Sequence, residues 1–311
     1  MSRPVLAAED VFKRILAQDL GNSSSYKAAY ISWWGGIVTD PRLMLIPLDD
    51  HMVHRGDGVF EAVKAVQGKP YLLEEHLERL KRSAEKISLS LPESTQEIKK
   101  LVLQTLQVSK LESAILRLFV SRGTGSFSPN PYDSKGAGLA IIATELRPLA
   151  SEKYSKGVRI GRSQVAPKSS FWAQIKSCNY LPNVLMKKES VDRGLDFTVG
   201  FNEKGYVTES STENIIWIDE KGRLCQPHLE QILKGCTMTR VMELAQQNSV
   251  CEVACIDLTE ENLLRAQEVM MVGTTLDVLP VTQYENHRIA EGKVGPFAQK
   301  LLKLLLEDQK K

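Results

Sequence analysis

The sequence predicts an α/β fold in two domains, and three observations lead to that expectation. Segments with apolar residues at helical spacing alternate with short runs rich in β-branched and aromatic residues, the pattern that lays helices against sheets. At 311 residues the chain is longer than one hydrophobic core usually serves. A polar, proline-containing stretch around Leu146 to Lys156 separates two such alternating halves and marks the expected boundary.

Residues 5 to 20 have the spacing of a short amphipathic helix that stops near Gly21, before the polar run NSSS. The runs AAYISWW, GGIV and LMLIPL read as β-rich, punctuated by Gly and Pro, and GVFEAVKAV forms a compact element after them. LLEEHLERLKRSAEKI has apolar positions at helical spacing, an acidic start and a basic end that match the helix dipole. TQEIKKLVLQTLQVSK is a second amphipathic helix, and AILRLFVSRG and GLAIIATEL are strands around the loop RGTGSFSPNPYDSKG. Beyond the boundary, GVRIGRSQV is a strand, the segment around Lys176 runs into a helix through VLMKKESVDRG, and FTVGFN and NIIWID flank the turn NEKG. TMTRVMELAQQNS is helical, QEVMMVGT becomes a buried strand, and GPFAQKLLKLLLEDQKK is a terminal amphipathic helix. The expected division is a helical extension over residues 1–27, a small α/β domain over 28–146 and a larger domain over 147–311.

Composition narrows the function classes. Forty basic residues against 38 acidic leave a formal net charge of +2 with no long single-sign block, so neither nucleic acid nor a membrane surface is an expected partner. No apolar run approaches the roughly 20 residues that span a bilayer, and the acidic residues in MSRPVLAAEDVFKRIL do not resemble a secretory signal, so a cytoplasmic protein is expected. Five scattered cysteines argue for reduced thiols over a disulfide framework. His51 and His54 lack further local ligands, and no metal site is expected.

Lys176 is the only charged residue from Ser169 to Met186, SSFWAQIKSCNYLPNVLM. A lysine in apolar surroundings loses hydration of its ammonium form, so the free amine, able to form a Schiff base, becomes accessible near neutral pH. The plain alternative is a stem lying along apolar surface with its head group in water. Other residues supply the partners that pyridoxal phosphate (PLP) requires, namely an acid for the pyridine nitrogen and donors for the phosphate. Glu209 opens TESSTENIIWI among small residues; a solvated loop glutamate explains it equally well. In LKGCTMTRV, Gly235 and Thr237 stand at a helix start, where backbone N–H groups bind anions or Thr simply caps. MMVGTTLDVLP ends a buried strand in Gly273, Thr274 and Thr275, hydroxyl donors or an ordinary turn. Arg79 suits a phosphate, or pairs with Glu75 one turn away.

Taken in order, GDGVFE (Gly56 to Glu61), HLERL (His76 to Leu80), IKSCNYLPNVL (Ile175 to Leu185), TESSTENIIW (Thr208 to Trp217), LKGCTMTR (Leu233 to Arg240) and VGTTLDVLPV (Val272 to Val281) resemble the fold-type IV, or class IV, PLP-dependent aminotransferases. That family includes D-amino-acid and branched-chain aminotransferases and aminodeoxychorismate lyase. The resemblance implies a two-domain enzyme whose larger domain has a β-barrel-like core. It implies that Lys176 forms the Schiff base and moves a proton between substrate and cofactor, and that Glu209 contacts the pyridine nitrogen. Arg79, Cys236 through its backbone, Thr237 and Thr274 would hold the phosphate, while Asn179, Tyr180 and Asn214 would support the cofactor. A homodimer acting on an amino acid and a 2-oxo acid is implied as well.

The interval from Lys176 to Asn179 is similar to the D-amino-acid aminotransferase and lyase pattern, one residue shorter than the usual branched-chain spacing. The Arg and His that bacterial D-amino-acid enzymes carry after the RGT motif are missing from RGTGSFSPNP, which leaves Arg55 and Arg122 as candidate carboxylate ligands, with Thr275 nearby in kind. Surface pairing is the alternative for either arginine. GGIVTDPRLMLIPLDDHMVHRGDGVFE and SCNYLPNVL are similar to the plant branch, associated with both D-amino-acid transamination and aminodeoxychorismate lyase activity. The threonines of VGTTLDVLP favour a transaminase, expected to exchange the amino group of a D-amino acid with pyruvate or 2-oxoglutarate. Release of 4-aminobenzoate and pyruvate from aminodeoxychorismate is the first alternative, and branched-chain L-amino-acid transamination the second.

Overall fold

A computed structural model describes residues 3 to 311; Met1 and Ser2, the start of the expected extension, lie outside the described residues. The chain divides into two compact units, Met1–Leu73 with Ile87–Leu146, and Glu74–Lys86 with Arg147–Lys311.

In the amino-terminal half the helices are α1 (Ala8–Leu16), α2 (His51–Arg55), α3 (Leu73–Lys86) and α4 (Thr95–Ser109). The strands are β1 (Tyr26–Ile31), β2 (Gly36–Val38), β3 (Gly58–Val66), β4 (Lys69–Pro70), β5 (Ala114–Ser121) and β6 (Gly138–Glu145). All six form one antiparallel sheet in the order β2-β1-β6-β5-β3-β4. Gln67 and Gly68 join β3 to β4 with φ of 52° and 72°. Positive φ at both central residues is what a two-residue hairpin loop needs, and Gly68 supplies it without a Cβ clash. Ser94 starts α4 by accepting the Glu97 N–H at 3.2 Å, and Ile98, Val102, Thr105 and Leu106 bury one face of the helix.

Two expectations differ from the structure here. LMLIPL forms no strand: it follows a 3-10 turn at Pro41–Leu43 and leaves Leu45, Ile46 and Leu48 exposed. The run has no period-two alternation, and Pro47 lacks the N–H a ladder requires. The first helix is nine residues long, and the polar NSSS run winds into a 3-10 turn at Gly21–Ser25.

The second unit adds helices α5 (Ser151–Lys156), α6 (Ser170–Ala173), α7 (Leu181–Asp192), α8 (Cys236–Gln247), α9 (Glu260–Arg265) and α10 (Pro296–Asp308). Its strands are β7 (Val158–Arg162), β8 (Phe197–Phe201), β9 (Val207–Ser210), β10 (Asn214–Ile218), β11 (Leu224–Gln226), β12 (Val253–Cys255), β13 (Glu268–Gly273), β14 (Asp277–Tyr284) and β15 (His287–Arg288). They make one mixed sheet in the order β12-β11-β10-β13-β14-β7-β8-β9, with β15 on β14. β9, the far end of that path, packs back beside β10, so the sheet curls into a barrel-like wall. Its core holds Ile160, Val199, Ile215, Trp217, Met271 and Leu279, each at most 1% exposed. Strands buried on both faces read as continuous apolar runs, which is why NIIWI and EVMMVG show no alternation. Among the described residues no helix is long and apolar enough to cross a membrane.

Candidate active site

At one edge of the second unit's sheet, four elements bring polar groups together. The first is β9, which carries Glu209. Val199 of β8 faces Ser210 and Phe201 faces Val207, so Thr208 and Glu209 both stand opposite Gly200. Two residues against one is a β-bulge, a device that re-aims a side chain out of regular alternation. The Glu209 carboxylate accepts the Leu233 N–H at 3.0 Å. Burial strips water from it and pushes its pKa up to about 7, against the pull of that hydrogen bond and of Lys168, Lys176 and Arg79.

The loop that supplies Leu233 leads into α8. Asn214, first residue of β10, donates to the Leu233 carbonyl at 2.9 Å. Gly235 precedes the helix, and a Cβ there would sit 2.0 Å from Asn214 Oδ1, so a side chain at this position would have to displace the Asn214 amide. No side chain caps α8, and Cys236 and Thr237 in its first turn are buried. The helix therefore starts with backbone N–H groups and a positive dipole end suited to an anion. Arg79 of α3, 5% exposed, donates to the Lys234 carbonyl at 3.0 Å and lies 3.4 Å from His76 Nδ1. Its guanidinium is thus held against the same loop by tertiary contact; an exposed i,i+4 pair with Glu75 does not describe it.

Lys176 follows α6 and a turn, is half-buried, and donates its N–H to Ser83 Oγ of α3 at 3.2 Å. Tyr180 caps the start of α7 and donates its hydroxyl to the Ser211 carbonyl at 3.3 Å, a carbonyl also reached by Asn183 Nδ2 at 2.5 Å. These bonds tie the lysine segment to the turn after Glu209. Asn214 stands opposite Val272 of β13, two residues before Thr274, which is half-buried in the turn to β14; Thr275 beside it is exposed. Asn179 is exposed.

Arg55 and Arg122 lie in the first unit. Arg122 pairs through Nε and Nη2 with Asp57 at 2.6 and 3.0 Å, and donates to the Ser88 and Ile87 carbonyls at 3.1 and 2.8 Å. Its guanidinium is engaged in holding the fold. Arg55 is exposed and donates to the His54 carbonyl at 2.9 Å and to the Phe127 carbonyl.

Sequence reasoning missed Lys168. It sits just outside the uncharged stretch around Lys176, its ammonium lies 4.9 Å from the Tyr180 ring centroid, and burial lowers its pKa while Glu209 raises it. Asn183 and Ser83 were missed too, because a single polar residue on a helix carries no signal until the fold shows its neighbour.

The chemistry available is a primary amine, a carboxylic acid poised near neutrality, and an uncapped helix start beside a buried guanidinium. Residues 58–284 match the model of the amino-transferase class IV family. The chain is 35% identical over 316 residues to the D-amino-acid transaminase, chloroplastic, of Arabidopsis thaliana, covering 99% of this chain and 82% of that protein. It is 31% identical to a putative branched-chain-amino-acid aminotransferase of Methanocaldococcus jannaschii, covering 86% of this chain and 92% of the relative. The branched-chain amino acid aminotransferase of T.th., solved with pyridoxamine 5'-phosphate, superposes with a TM-score of 0.85 at 26% identity, covering 91% and 93% of the two chains. The curled mixed sheet, the lysine and acid at its edge and the match over most of the chain agree: this protein belongs to the class IV aminotransferases.

Proposed function

We propose that the protein transfers an amino group between a D-amino acid and a 2-oxo acid such as pyruvate or 2-oxoglutarate, with pyridoxal 5'-phosphate held in the second unit. The observation that carries this reading is the single hydrogen-bonded frame joining Arg79, Leu233, Glu209 and Asn214, with Lys176 acting on the same carboxylate. The donor set fits the cofactor. Lys176 would hold its carbonyl carbon, Glu209 its ring nitrogen, and Arg79, the N–H groups of Cys236 and Thr237, and Thr274 its phosphate, while Asn179, Tyr180 and Asn214 would support these groups. A half-buried acid with a pKa near 7 gains most from a cationic ring nitrogen, which compensates the carboxylate for the hydration that burial removed.

Pyridoxal phosphate, when bound, supplies a carbonyl that captures amines and a ring that accepts electrons from the substrate Cα. The chain's own residues do the rest. Released from the carbonyl carbon by the incoming substrate amine, Lys176 Nζ would take the Cα proton and return it on the cofactor side, so one amine would serve as base and acid. Glu209 would keep a proton at the ring nitrogen, and the α8 start with Arg79 would anchor the far end so that the reacting atoms stay aligned. Arg55 is the proposed ligand of the substrate carboxylate in preference to Arg122, and Thr275 a proposed substrate contact. D configuration is supported by the Arabidopsis relative and by the short interval between Lys176 and Asn179. A homodimer belongs to the same proposal, and sedimentation tests it.

The absorption spectrum of the purified protein, before and after adding D- or L-amino acids, tests the reading. Conversion of the bound cofactor to its amine form by D-alanine or D-methionine, abolished in Lys176→Ala, is the expected result. Pyruvate released from aminodeoxychorismate without any oxo-acid acceptor, together with no transfer from any amino acid, would establish the lyase instead.

A further inference from the structure

Glu209 also forms part of the wall of a small cavity of mixed lining inside the second unit, shared on its polar side with Lys168, Asn183, Thr208, Ser210 and Gln231. Its room, about 10 Å³ for the centre of a water molecule, suits a single one. Gly200 packs closely beside two of its wall residues: a Cβ there would lie 2.9 Å from Thr208 Oγ1 and 3.3 Å from the Pro167 Cβ. Asn183, Thr208 and Ser210 are 8%, 2% and 2% exposed, and the oxygens Asn183 Oδ1, Thr208 Oγ1 and Ser210 Oγ are fully buried with no hydrogen-bond partner from the protein. Asn183 is oriented by its Nδ2 bond to the Ser211 carbonyl, which leaves Oδ1 as the acceptor. Buried polar atoms are almost always satisfied, and three unsatisfied oxygens around one water-sized cavity identify a site for water.

We propose that this cavity is an internal water site, and that the water, with Lys168 as the positive charge on the cavity wall, favours the ionised form of Glu209 against the cost of its burial. The inference rests on Glu209 serving the ring nitrogen. Lys168, Asn183, Thr208 and Ser210 are then positioning residues that act through the acid and touch neither substrate nor cofactor. A water at this place donates to Asn183 Oδ1 and accepts from the two hydroxyls, so all three orphaned oxygens find a partner. The charged groups that act on Glu209 are Lys168 from the segment before α6, Lys176 after it and Arg79 from α3, while the loop before α8 contributes only the Leu233 N–H. In the cofactor-free protein all three charges act on the acid; with the cofactor bound Lys176 and Arg79 turn to it in this reading, and Lys168 remains the charge dedicated to Glu209.

The test is an infrared difference titration of the full-length, cofactor-free protein, with the Glu209 band assigned by its loss in Glu209→Gln. Lys168→Met is expected to move the Glu209 midpoint upward by about one pH unit, the lower end of what losing a nearby opposite charge does, and Lys168→Arg to restore it. Thr208→Val with Ser210→Ala removes the hydroxyls at nearly constant shape; a water site predicts a lower Tm and an upward midpoint. An unmoved midpoint in Lys168→Met, or a raised Tm in the double variant as expected of a dry cavity, overturns the proposal. Failure of the ring-nitrogen assignment is a separate result: Glu209→Gln would then keep full amino transfer, whatever the titration shows.

Discussion

Replacing Glu209 with glutamine should change how the stability of the cofactor-free protein depends on pH. The carboxyl titrates at about 7 in the fold against an ordinary 4.5. A group whose pKa is raised by folding stabilises the native state fully below its ordinary value, and that contribution is lost as pH rises through the folded value. Between pH 4.5 and 7 the wild type therefore loses stability from this residue. The ceiling is about 3 kcal/mol, at about 1.4 kcal/mol for each pH unit between the two values, and the partial exposure of the side chain reduces it. Glutamine keeps the shape and an oxygen to accept the Leu233 N–H, but has no charge to desolvate. Urea unfolding at pH 5, 6, 7 and 8 should show the two proteins converging at pH 5 and the glutamine variant becoming the more stable by pH 8. Under the proposed function, binding pyridoxal phosphate should reverse the order, because the cationic ring nitrogen would then pair with the carboxylate. A stability difference that stays constant from pH 5 to 8 would refute the argument that desolvation governs this acid.

If Arg79 holds the phosphate as proposed, Arg79→Met should weaken cofactor retention roughly 10- to 100-fold, the loss of one charge-assisted contact, measured by equilibrium dialysis of the loaded protein. Gly235→Ala forces a Cβ to within 2.0 Å of Asn214 Oδ1, so it should lower both Tm and cofactor affinity, whereas Gly36→Ala, with open space around its Cβ, should leave affinity unchanged. Arg122→Ala removes the ion pair with Asp57 and two hydrogen bonds to backbone carbonyls, and a loss of about 1–3 kcal/mol in unfolding free energy is expected. Arg55→Ala should raise KM for the amino acid with little change in Tm; equal KM values in the Arg55 variant and wild type would remove it as the carboxylate ligand.

The order of helices and strands was legible because each long element writes its own periodicity. α3 and α4 show apolar residues at helical spacing, and β10 and β13 are nearly continuous apolar runs between turn residues. LMLIPL shows the limit of that signal, since an apolar run becomes a strand only where a neighbour completes its hydrogen bonds. The motif order around Lys176, Glu209 and Gly235 was equally visible in the sequence, as was the family it resembles.

What the sequence determined by itself was which residues carry chemistry and roughly where each element lies, because side-chain type and spacing are local properties. The tertiary structure decided what those residues do to one another. It curled β9 back beside β10, bulged Glu209 out of alternation opposite Gly200, bound Arg79 to the loop before α8 and committed Arg122 to Asp57. It also placed Lys168 on the cavity wall shared with Glu209, 41 residues away in the chain. Charge and hydrogen-bond energies depend on distance and on solvent exclusion, and both are set by packing between segments remote in sequence.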